Sequence, residues 1–315
     1  MNHKTSFSGP SGARAGSGAV SSLSVPAPLS SSRNIGIFAK VQDPRCREVA
    51  GELLEWLKNR GLVPLVEVRL SRYLECENGF PGEAIPSMAE LVVVLGGDGT
   101  LISVARLVGR QEVPILGVNL GSLGFLTEIP VCGLYPALES YLRGDYTTSR
   151  RMMLSVSHTR GGETIGVYEA LNDAVINKGA PAKIIALDTA VDSSFLATFK
   201  ADGLIVSSPT GSTGYSLSAG GPIVDPETDC LIITPICSHT LTNRPLVVGA
   251  DAKVIITLDS PIENVMLTLD GQVGVPLEYR DVISVRRAEH RTRLILSGAT
   301  DYFEVLRTKL KWGER

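Results

Sequence analysis

A single aspartate stands among glycines directly after a continuous apolar run. The valine-rich residues 91–95 are too few for a helix and predict a buried parallel strand, which ends in the turn Gly-Gly-Asp-Gly-Thr of residues 96–100. Open α/β sheets bind ligands at the carboxyl ends of their strands, and glycines let a phosphate approach the backbone closely. Asp98 is therefore a candidate catalytic carboxylate beside a phosphate, although an aspartate in a glycine turn more often serves local hydrogen bonding.

Two further polar positions interrupt apolar segments. Residues 117–126 form a second glycine-rich strand end, which the same topological argument places beside the first. There Asn119 either hydrogen-bonds a ligand or closes its own turn. Asn172 and Asp173 interrupt an otherwise apolar strand, and a buried polar pair costs stability unless a ligand or a β-bulge accounts for it.

The longest polar segment, residues 202–222, combines hydroxyl groups, glycines with free backbone N–H groups and one aromatic ring. These groups suit a ribose, its phosphates and an adenine. The alternative is a flexible Ser/Gly linker, which predicts low-complexity polar sequence. The apolar run 204–206 and the embedded Tyr215 argue against a linker, so this segment is a candidate nucleotide site.

Alternating strands and helices over the first half must position these segments. The pattern predicts strands at residues 34–39, 62–68, 91–95 and 114–118, and helices over about 43–60, after residue 100 with Thr100 as the cap, and up to Gly144. Residues 71–90 are polar and broken by Gly and Pro, which predicts a loop with one short helix. The alternation predicts a Rossmann-like parallel sheet, although neither a G-x-G-x-x-G nor a Walker A sequence is present.

From residue 146 onward the pattern changes to many short β-like runs, among them residues 254–258, 265–269 and 282–286. Such runs without intervening helices predict a β-sandwich-like second domain. A last helix over residues 303–310 is expected to pack back on the first domain. The predicted organisation is a disordered leader over 1–32, an α/β domain over 33–146, a β-rich domain over 147–298 and a returning C-terminal segment over 299–315.

Composition weighs against several classes of function. A net charge of -3 over 315 residues, with no block of like charges, gives no field that would attract nucleic acid or a membrane surface. The five cysteines are scattered and lack the paired spacing of a zinc or redox site. No apolar run approaches the roughly 18 residues that span a membrane. The leader lacks acidic residues, as organelle transit peptides do, so a cytoplasmic location is expected with organelle targeting as the alternative.

Across residues 34–312 the motifs follow the order found in the NAD kinase family, which the chain closely resembles. The shared segments are the glycine-aspartate turn of 96–100, Leu171–Asp173, residues 202–222, His239–Pro245 and Asp270–Gln272. Lipid kinases of the diacylglycerol kinase group and, more distantly, phosphofructokinases resemble only the first. Two departures are visible: Gly214 stands where alanine is usual, and Ser238 stands where proline often precedes the histidine.

The resemblance implies transfer of the γ-phosphoryl group of ATP to the 2′-hydroxyl of the adenosine ribose of NAD, giving NADP. Asp98 would be the general base, and a divalent metal, expected to be Mg²⁺, would take part through ligands that the sequence does not identify. The resemblance carries NAD contacts over to Asp98, Gly99, Asn172, Asp173, Lys183, Lys200, Asp202, Thr213, Gly214, Tyr215, Ser216, Leu217, Ser218 and Gln272. Further candidate contacts are Gly97, Thr100, Asn119, Thr210 and His239. Of these, the lone loop histidine is more typical of a surface residue.

The resemblance also implies a homodimer or homotetramer. It leaves open whether polyphosphate serves as a second donor and NADH as a second acceptor, and no nucleic-acid or membrane partner is expected. Two other hypotheses stand beside it. A lipid or other small-molecule kinase sharing the aspartate turn would need an apolar substrate pocket, and a non-catalytic dinucleotide sensor would not need the intact Asp98.

Overall fold

The computed structural model describes residues 33–179, 183–240, 242–261, 263–298 and 301–312. The predicted leader of residues 1–32 lies outside these ranges. The helices are α1 Cys46–Asn59, α2 Val68–Leu74, α3 Asp98–Val108, α4 Leu134–Arg143, α5 Tyr215–Ser218 and α6 Tyr302–Leu310. The strands are β1 Asn34–Ala39, β2 Val63–Val66, β3 Leu91–Leu95, β4 Ile115–Asn119, β5 Ile129–Pro130, β6 Thr148–Arg160, β7 Glu163–Ala170, β8 Asp173–Lys178, β9 Ile185–Val191, β10 Ser194–Ala201, β11 Gly203–Ser207, β12 Cys230–Ile236, β13 Leu246–Gly249, β14 Val254–Leu258, β15 Val265–Leu269, β16 Val273–Leu277 and β17 Val282–Ile295.

The first four strands confirm the predicted parallel sheet. They lie in the order β2-β1-β3-β4, and every neighbouring pair is parallel. Apolar residues of α1 and α4 pack on one face of these strands, and those of α3 pack on the other. Every residue of β3 and β4 is therefore buried, as expected for a parallel sheet with both faces covered.

The second half is largely antiparallel, as predicted. One sheet has the order β13-β12-β11-β8-β15-β16, with every pair antiparallel. A second layer contains β10-β9-β14-β17, with β6 beside β17 and β7 beside β6. Residues of both layers, including Leu154, Ile176, Leu204 and Ile256, share one apolar core. The two layers therefore pack as a sandwich.

Strand β17 joins the two halves, which the sequence does not predict. It is 14 residues long, whereas the prediction covers only residues 282–286. Its first part pairs with β14 and β6, and Leu294 near its end pairs in parallel with Ile115 of β4. Several arginines interrupt the alternation of apolar and polar residues along this strand, and its pairing with β6 shifts register between Arg287 and Arg291. The continuation beyond residue 286 therefore has no clear sequence signal. The parallel strands and the second layer thus form a single sheet.

Two predicted element boundaries are wrong. Helix α3 begins at Asp98 with Gly97 as its N-cap, so Thr100 lies inside the first turn and does not cap it. The second strand ends at Val66, because Glu67 caps a new helix, α2. The Glu67 carboxylate accepts hydrogen bonds from the backbone N–H groups of Arg69 and Leu70. The short helix expected within residues 71–90 is present as a 3₁₀ turn over Ile85–Ser87, and α2 begins three residues before that range.

The last helix, α6, begins one residue before its predicted start. The Asp301 carboxylate caps it by accepting a 2.7 Å hydrogen bond from the backbone N–H of Glu304. Val305 and Leu306 are buried, while packing of this helix on the first domain stays a prediction. Among the helices of the described ranges, none is both long and apolar enough to cross a bilayer.

Candidate functional site

The glycine turn joins β3 to α3 at the carboxyl edge of the parallel sheet. Asp98 is the first residue of α3, and its side chain is half-buried. A Cβ atom at Gly96 would lie 2.8 Å from the Thr100 hydroxyl oxygen, so only glycine allows the first helical turn to fold back on this position. No atom lies near the corresponding position of Gly97, which leaves that side of the turn open to a ligand.

The Asp98 carboxylate is held by the loop that follows β4. Its Oδ2 accepts a 2.8 Å hydrogen bond from the N–H of Phe125. Its Oδ1 accepts three bonds of 3.0 Å, from the N–H groups of Leu126 and Thr127 and from the Thr127 hydroxyl. A Cβ atom at Gly124 would lie 2.1 Å from Oδ1, so glycine is required for this approach. The two glycine-rich strand ends lie side by side, as predicted.

Asn119 closes its own turn, which is the structural one of the two predicted roles. Its amide nitrogen donates to the carbonyls of Ser122 and Thr127, the latter at 3.3 Å, and its Oδ1 accepts from the N–H of Gly121 at 2.5 Å. The side chain is buried, and both ends of its amide are engaged within the loop. Asn119 therefore shapes the loop that holds Asp98.

Asp270 joins three segments, and its side chain is fully buried. Its Oδ1 accepts from the N–H of Asn172 at 2.7 Å and of Asp173 at 3.2 Å, and its Oδ2 accepts from the N–H of Leu171 at 3.1 Å. Arg106 of α3 donates to the same Oδ2 at 2.7 Å. The turn between β15 and β16 thereby fixes the start of β8 and binds it to α3.

Gln272 lies two residues further along this turn and contacts the aspartate turn. Its Oε1 accepts a 2.7 Å hydrogen bond from Arg106, and its Nε2 donates to the carbonyl of Gly99 at 2.7 Å. Both ends of the side-chain amide are thus engaged by protein groups. The sequence predicts Gln272 as an NAD contact, whereas these bonds use it to connect two parts of the protein.

Asn172 and Asp173 come together with the serine-rich segment. A Cβ atom at Gly214 would lie 3.6 Å from the Asn172 amide nitrogen and 4.0 Å from an Asp173 carboxylate oxygen. Burial, and secondarily the charge of Asp270, raise the pKa of Asp173 to about 7. Two buried side-chain oxygens, Asn172 Oδ1 and Thr210 Oγ1, have no hydrogen-bond partner among the described residues. Such atoms are costly unless a ligand or water satisfies them.

The segment 210–218 forms one 3₁₀ turn followed by α5. A Cβ atom at Gly211 would lie 2.2 Å from the Asn172 carbonyl oxygen, so the turn packs directly on the residue that precedes β8. Ser216 is fully buried, and its hydroxyl shares a 2.9 Å hydrogen bond with the Thr234 hydroxyl, so it faces β12. Tyr215 is 45% exposed and Ser218 is also exposed, while Thr213, Gly214 and Leu217 are partly buried.

The remaining predicted contacts lie around β10 and its neighbours. The backbone N–H of His239 donates to the Lys200 carbonyl at 2.9 Å, and both residues are exposed. Asp202 pairs with Lys178 at 2.8 Å between its carboxylate and the ammonium group. Lys183 is exposed, two residues before β9. Their contacts are made with one another, with Lys178, with β12 and, through the pairing of Lys200 with Ala186, with β9. Within the described residues they form a group separate from the one around Asp270.

A cavity of ≈ 730 Å³ opens beside the aspartate turn. The ends of β1 and β3, the start of α2 and the first turn of α3 surround it, and Gly97, Gly99, Thr100, Lys40 and Arg69 contribute to its lining. Glu67 and Glu83 also line the cavity, and the Glu67 carboxylate is engaged by backbone N–H groups of α2. The N-terminus of α3, together with Lys40 and Arg69, favours an anionic ligand. The site therefore provides an anion cavity on one side of the aspartate turn and unpartnered polar atoms near Asp173.

Among the described residues, no group of three or more His, Cys, Asp or Glu side chains is arranged to hold a metal ion. Magnesium commonly uses one or two carboxylates together with substrate phosphates and water. The donor groups near Asp98 fit a metal that is carried mainly by phosphate oxygens.

Sequence reasoning missed Arg106, Asp270 and the backbone donors of residues 125–127. The motif Asp270–Gln272 was visible, but it does not show which of its side chains points inward. Arg106 lies two helical turns after Asp98, which places it on a related face of α3, yet an arginine at such a position usually indicates only a solvated surface. The loop donors are backbone groups and leave no sequence signal.

Comparison with known proteins adds independent evidence. Residues 35–146 match the family model of the ATP-NAD kinase N-terminal domain, and residues 171–297 match that of the ATP-NAD kinase C-terminal domain. The NAD kinase of Geotalea daltonii is 64% identical over 283 residues, which cover 90% of this chain and 100% of the relative. The NAD kinase of Geobacter metallireducens is 62% identical with the same coverage.

Two solved structures are similar in fold. Yeast NADH kinase, solved in complex with NADH, superposes with a TM-score of 0.82 at 26% identity, covering 90% of this chain and 89% of the yeast chain. An NAD kinase from Archaeoglobus fulgidus in complex with ATP superposes with a TM-score of 0.70 at 25% identity, covering 88% of this chain and 98% of the other. Both similarities extend over the parallel and the antiparallel halves.

Proposed function

Because the chain belongs to the NAD kinase family, we propose that it transfers the γ-phosphoryl group of ATP to the 2′-hydroxyl of the adenosine ribose of NAD, giving NADP. The observation that carries this proposal is the junction at Asp270 and Gln272. It brings the Asp98 turn against the start of β8, where Asn172 and Asp173 lie. The Asp98 turn, whose Gly97, Gly99 and Thr100 line the cavity, is thereby tied to the segment that carries the unpartnered Asn172 oxygen.

We assign the phosphoryl donor to the cavity beside Gly97 and Thr100. The N–H groups at the start of α3 and the cationic Lys40 and Arg69 suit the charges of ATP. The NAD ribose would lie on the other side of Asp98, near Asn172 and Asp173. In-line transfer requires the 2′-hydroxyl to approach the γ-phosphorus opposite the bond to the departing ADP, so the two substrates would have to meet beside the Asp98 carboxylate, which takes up the hydroxyl proton.

We assign the role of general base to Oδ2 of Asp98. Three donors occupy Oδ1, whereas among the residues that the structure describes Oδ2 accepts one bond, from Phe125, and keeps a free lone pair. The loop bonds hold the carboxylate in one orientation, which is what a base needs for a defined proton transfer. Such a base contributes on the order of 10² to 10⁴ in rate.

A divalent metal, Mg²⁺ by its chemistry, is part of this proposal. Phosphate oxygens of ATP and water would hold it, since Asp98 is assigned to proton transfer, and it would neutralise phosphate charge during transfer.

The test is a coupled assay of NADP formation from NAD, ATP and Mg²⁺, with polyphosphate and NADH as alternative substrates. Asp98→Asn is expected to lower kcat by at least about 100-fold with NAD binding retained, because the amide cannot take up the proton. Asp145→Asn, an exposed aspartate in the turn after α4, is the matched control and should stay within twofold of wild type. Near-normal turnover in Asp98→Asn would remove Asp98 from the role of base. No NADP with NAD still bound would favour a dinucleotide sensor.

Assembly and location complete the proposal. Strand β13 pairs only with β12 among the described residues and exposes Leu246 and Val247, which supports association through this edge into a homodimer or homotetramer. Light scattering coupled to size-exclusion chromatography tests it, and a monomer at micromolar concentration would contradict it.

A cytoplasmic location is proposed, with organelle targeting through residues 1–32 as the alternative that imaging of a fusion protein would reveal.

A further inference from the structure

Arg106 is the side chain that the mechanism above does not use, although it lies at the centre of the site. One of its terminal nitrogens, Nη1, donates to Asp270 and the other, Nη2, donates to Gln272, both at 2.7 Å. The side chain is only 16% exposed. A guanidinium with two divergent terminal nitrogens can hold two acceptors at fixed positions, which a lysine ammonium does less well.

The two branches lead to different parts of the site. Through Asp270, Arg106 is linked to the N–H groups of Asn172 and Asp173 at the start of β8. Through Gln272, it is linked to the carbonyl of Gly99, the residue that follows the proposed base. Every bond in both branches is 3.2 Å or shorter.

We infer that Arg106 is a positioning residue for phosphoryl transfer, and that its two branches set separate properties of the enzyme. The Gln272 branch fixes the backbone at Gly99, the residue next to Asp98, and therefore governs kcat. The Asp270 branch fixes the start of β8 and therefore governs the affinity for NAD. This inference rests on the proposed function.

The sequence offers substitutions that separate the branches. Gln272→Glu keeps the size of the side chain and an acceptor for Arg106, but it cannot donate to the Gly99 carbonyl and places a carboxylate against it. Arg106→Lys keeps a positive charge for Asp270 and cannot hold both partners. Arg110→Lys is the matched control, since Arg110 follows α3 and its side-chain ion pair within the described part of the chain is an exposed 3.4 Å contact with Glu289.

We would measure kcat with saturating substrates and the dissociation constant of NAD without ATP. Gln272→Glu and Arg106→Lys are each expected to lower kcat by about tenfold, because misplacement of a reacting group by a fraction of an ångström is costly. The NAD dissociation constant should stay within twofold in Gln272→Glu. The double variant should lose little more than either single variant, because both break the same connection to Gly99.

Amide exchange measured by mass spectrometry supplies a readout besides activity. In Gln272→Glu, peptides covering residues 98–105 should exchange faster, while those covering 171–178 should match wild type. Asp270→Asn should show the converse, with a raised NAD dissociation constant and faster exchange in 171–178. Arg110→Lys should match wild type in every measurement.

The inference would be overturned if Gln272→Glu kept the wild-type kcat, or lost kcat and NAD affinity by the same factor. It would also be overturned if the loss of kcat in the double variant were the product of the two single losses. A wild-type protein that makes no NADP would instead contradict the proposed function, while the exchange data would still test the connection to Gly99.

Discussion

Two buried aspartates in this protein each accept several hydrogen bonds, and the two networks have opposite consequences. Asp270, at the junction of the two halves, accepts three backbone N–H bonds and one arginine. Asp281, just before β17, is bound by both Arg160 and His158 and accepts the N–H of Glu278. Both carboxylates are fully buried.

The difference lies in what surrounds each network. Around Asp281 the charges are matched, and although burial alone would raise the pKa of Asp281, the bonds from Arg160, Glu278 and His158 lower it to about 2. Beside Asp270, Asp173 has a pKa raised to about 7, and nearby polar atoms lack partners. The network at Asp281 is satisfied apart from one ring nitrogen of His158, whereas the surroundings of Asp270 leave polar capacity for a ligand. The Asp281 network is that of a structural ion pair, whereas the polar atoms beside Asp270 are where we propose that a ligand binds.

Replacing the carboxylate of the satisfied network should have the largest effect on stability. Asp281→Asn removes the anion that the buried His158 contacts. It also removes one of the two carboxylates that bind Arg160, which keeps Glu278 and is 34% exposed, so the expected loss is about 2 to 3 kcal/mol. Urea denaturation at pH 7 measures this loss, and the NAD dissociation constant should stay within twofold. An unchanged free energy of unfolding, or a large loss of NAD affinity in a folded variant, would remove the contrast between the two aspartates.

The same variant has a defined pH dependence. Because the folded pKa of Asp281 lies below its unfolded value of about 4, its stabilisation is present above pH 4 and is lost as the pH falls through 2. The stability difference between wild type and Asp281→Asn should therefore be constant from pH 5 to 7 and shrink below pH 4. A difference that grows on acidification would show that the carboxylate is not stabilising.

The pH dependence of the unfolding free energy should have the opposite sign at Asp173, and the change should be smaller. The folded pKa of Asp173 is raised, so between about pH 4 and 7 the folded state holds a proton that the unfolded state has released, and stability falls as the pH rises. Asp173→Asn removes this slope. Relative to wild type, the variant should gain about 2 kcal/mol in unfolding free energy between pH 5 and pH 8. Parallel pH profiles for the two proteins would mean that Asp173 titrates normally.

The sequence predicts the local parts of this architecture well, because apolar periodicity directly reflects burial. Strands β3, β14 and β15 coincide with the runs predicted at residues 91–95, 254–258 and 265–269. It fails where polar side chains interrupt the period, as in β17, and where a side-chain cap decides a boundary, as Glu67 does for α2. These features depend on contacts between residues far apart in sequence.

The site shows the same division. The positions of Asp98 and Asn172 follow from strand ends, which are local signals. The role of Gln272 does not, because its partners are Gly99 and Arg106, more than 160 residues earlier in the chain. Likewise, the sequence cannot show that Ser216 turns toward Thr234 while Thr210 does not find a partner. Residue type identifies which groups could bind, and only packing decides which of them are left free to do so.

Two buried threonines allow the finest test of the comparison. The Thr210 hydroxyl has no hydrogen-bond partner among the described residues, whereas the Thr234 hydroxyl is bonded to Ser216 at 2.9 Å. Thr234→Val should therefore lose about 1 kcal/mol in unfolding free energy, with NAD affinity unchanged. Thr210→Val loses no internal bond and should be no less stable than wild type.

If the Thr210 hydroxyl forms a hydrogen bond with NAD, Thr210→Val should weaken NAD binding by about five- to tenfold, the value of one hydrogen bond. Titration calorimetry of both variants against NAD gives the comparison directly, because the two substitutions are chemically identical and both positions are buried. Equal affinities would mean that water or a rearranged side chain satisfies Thr210, and that an unpartnered oxygen in this protein does not identify a ligand contact.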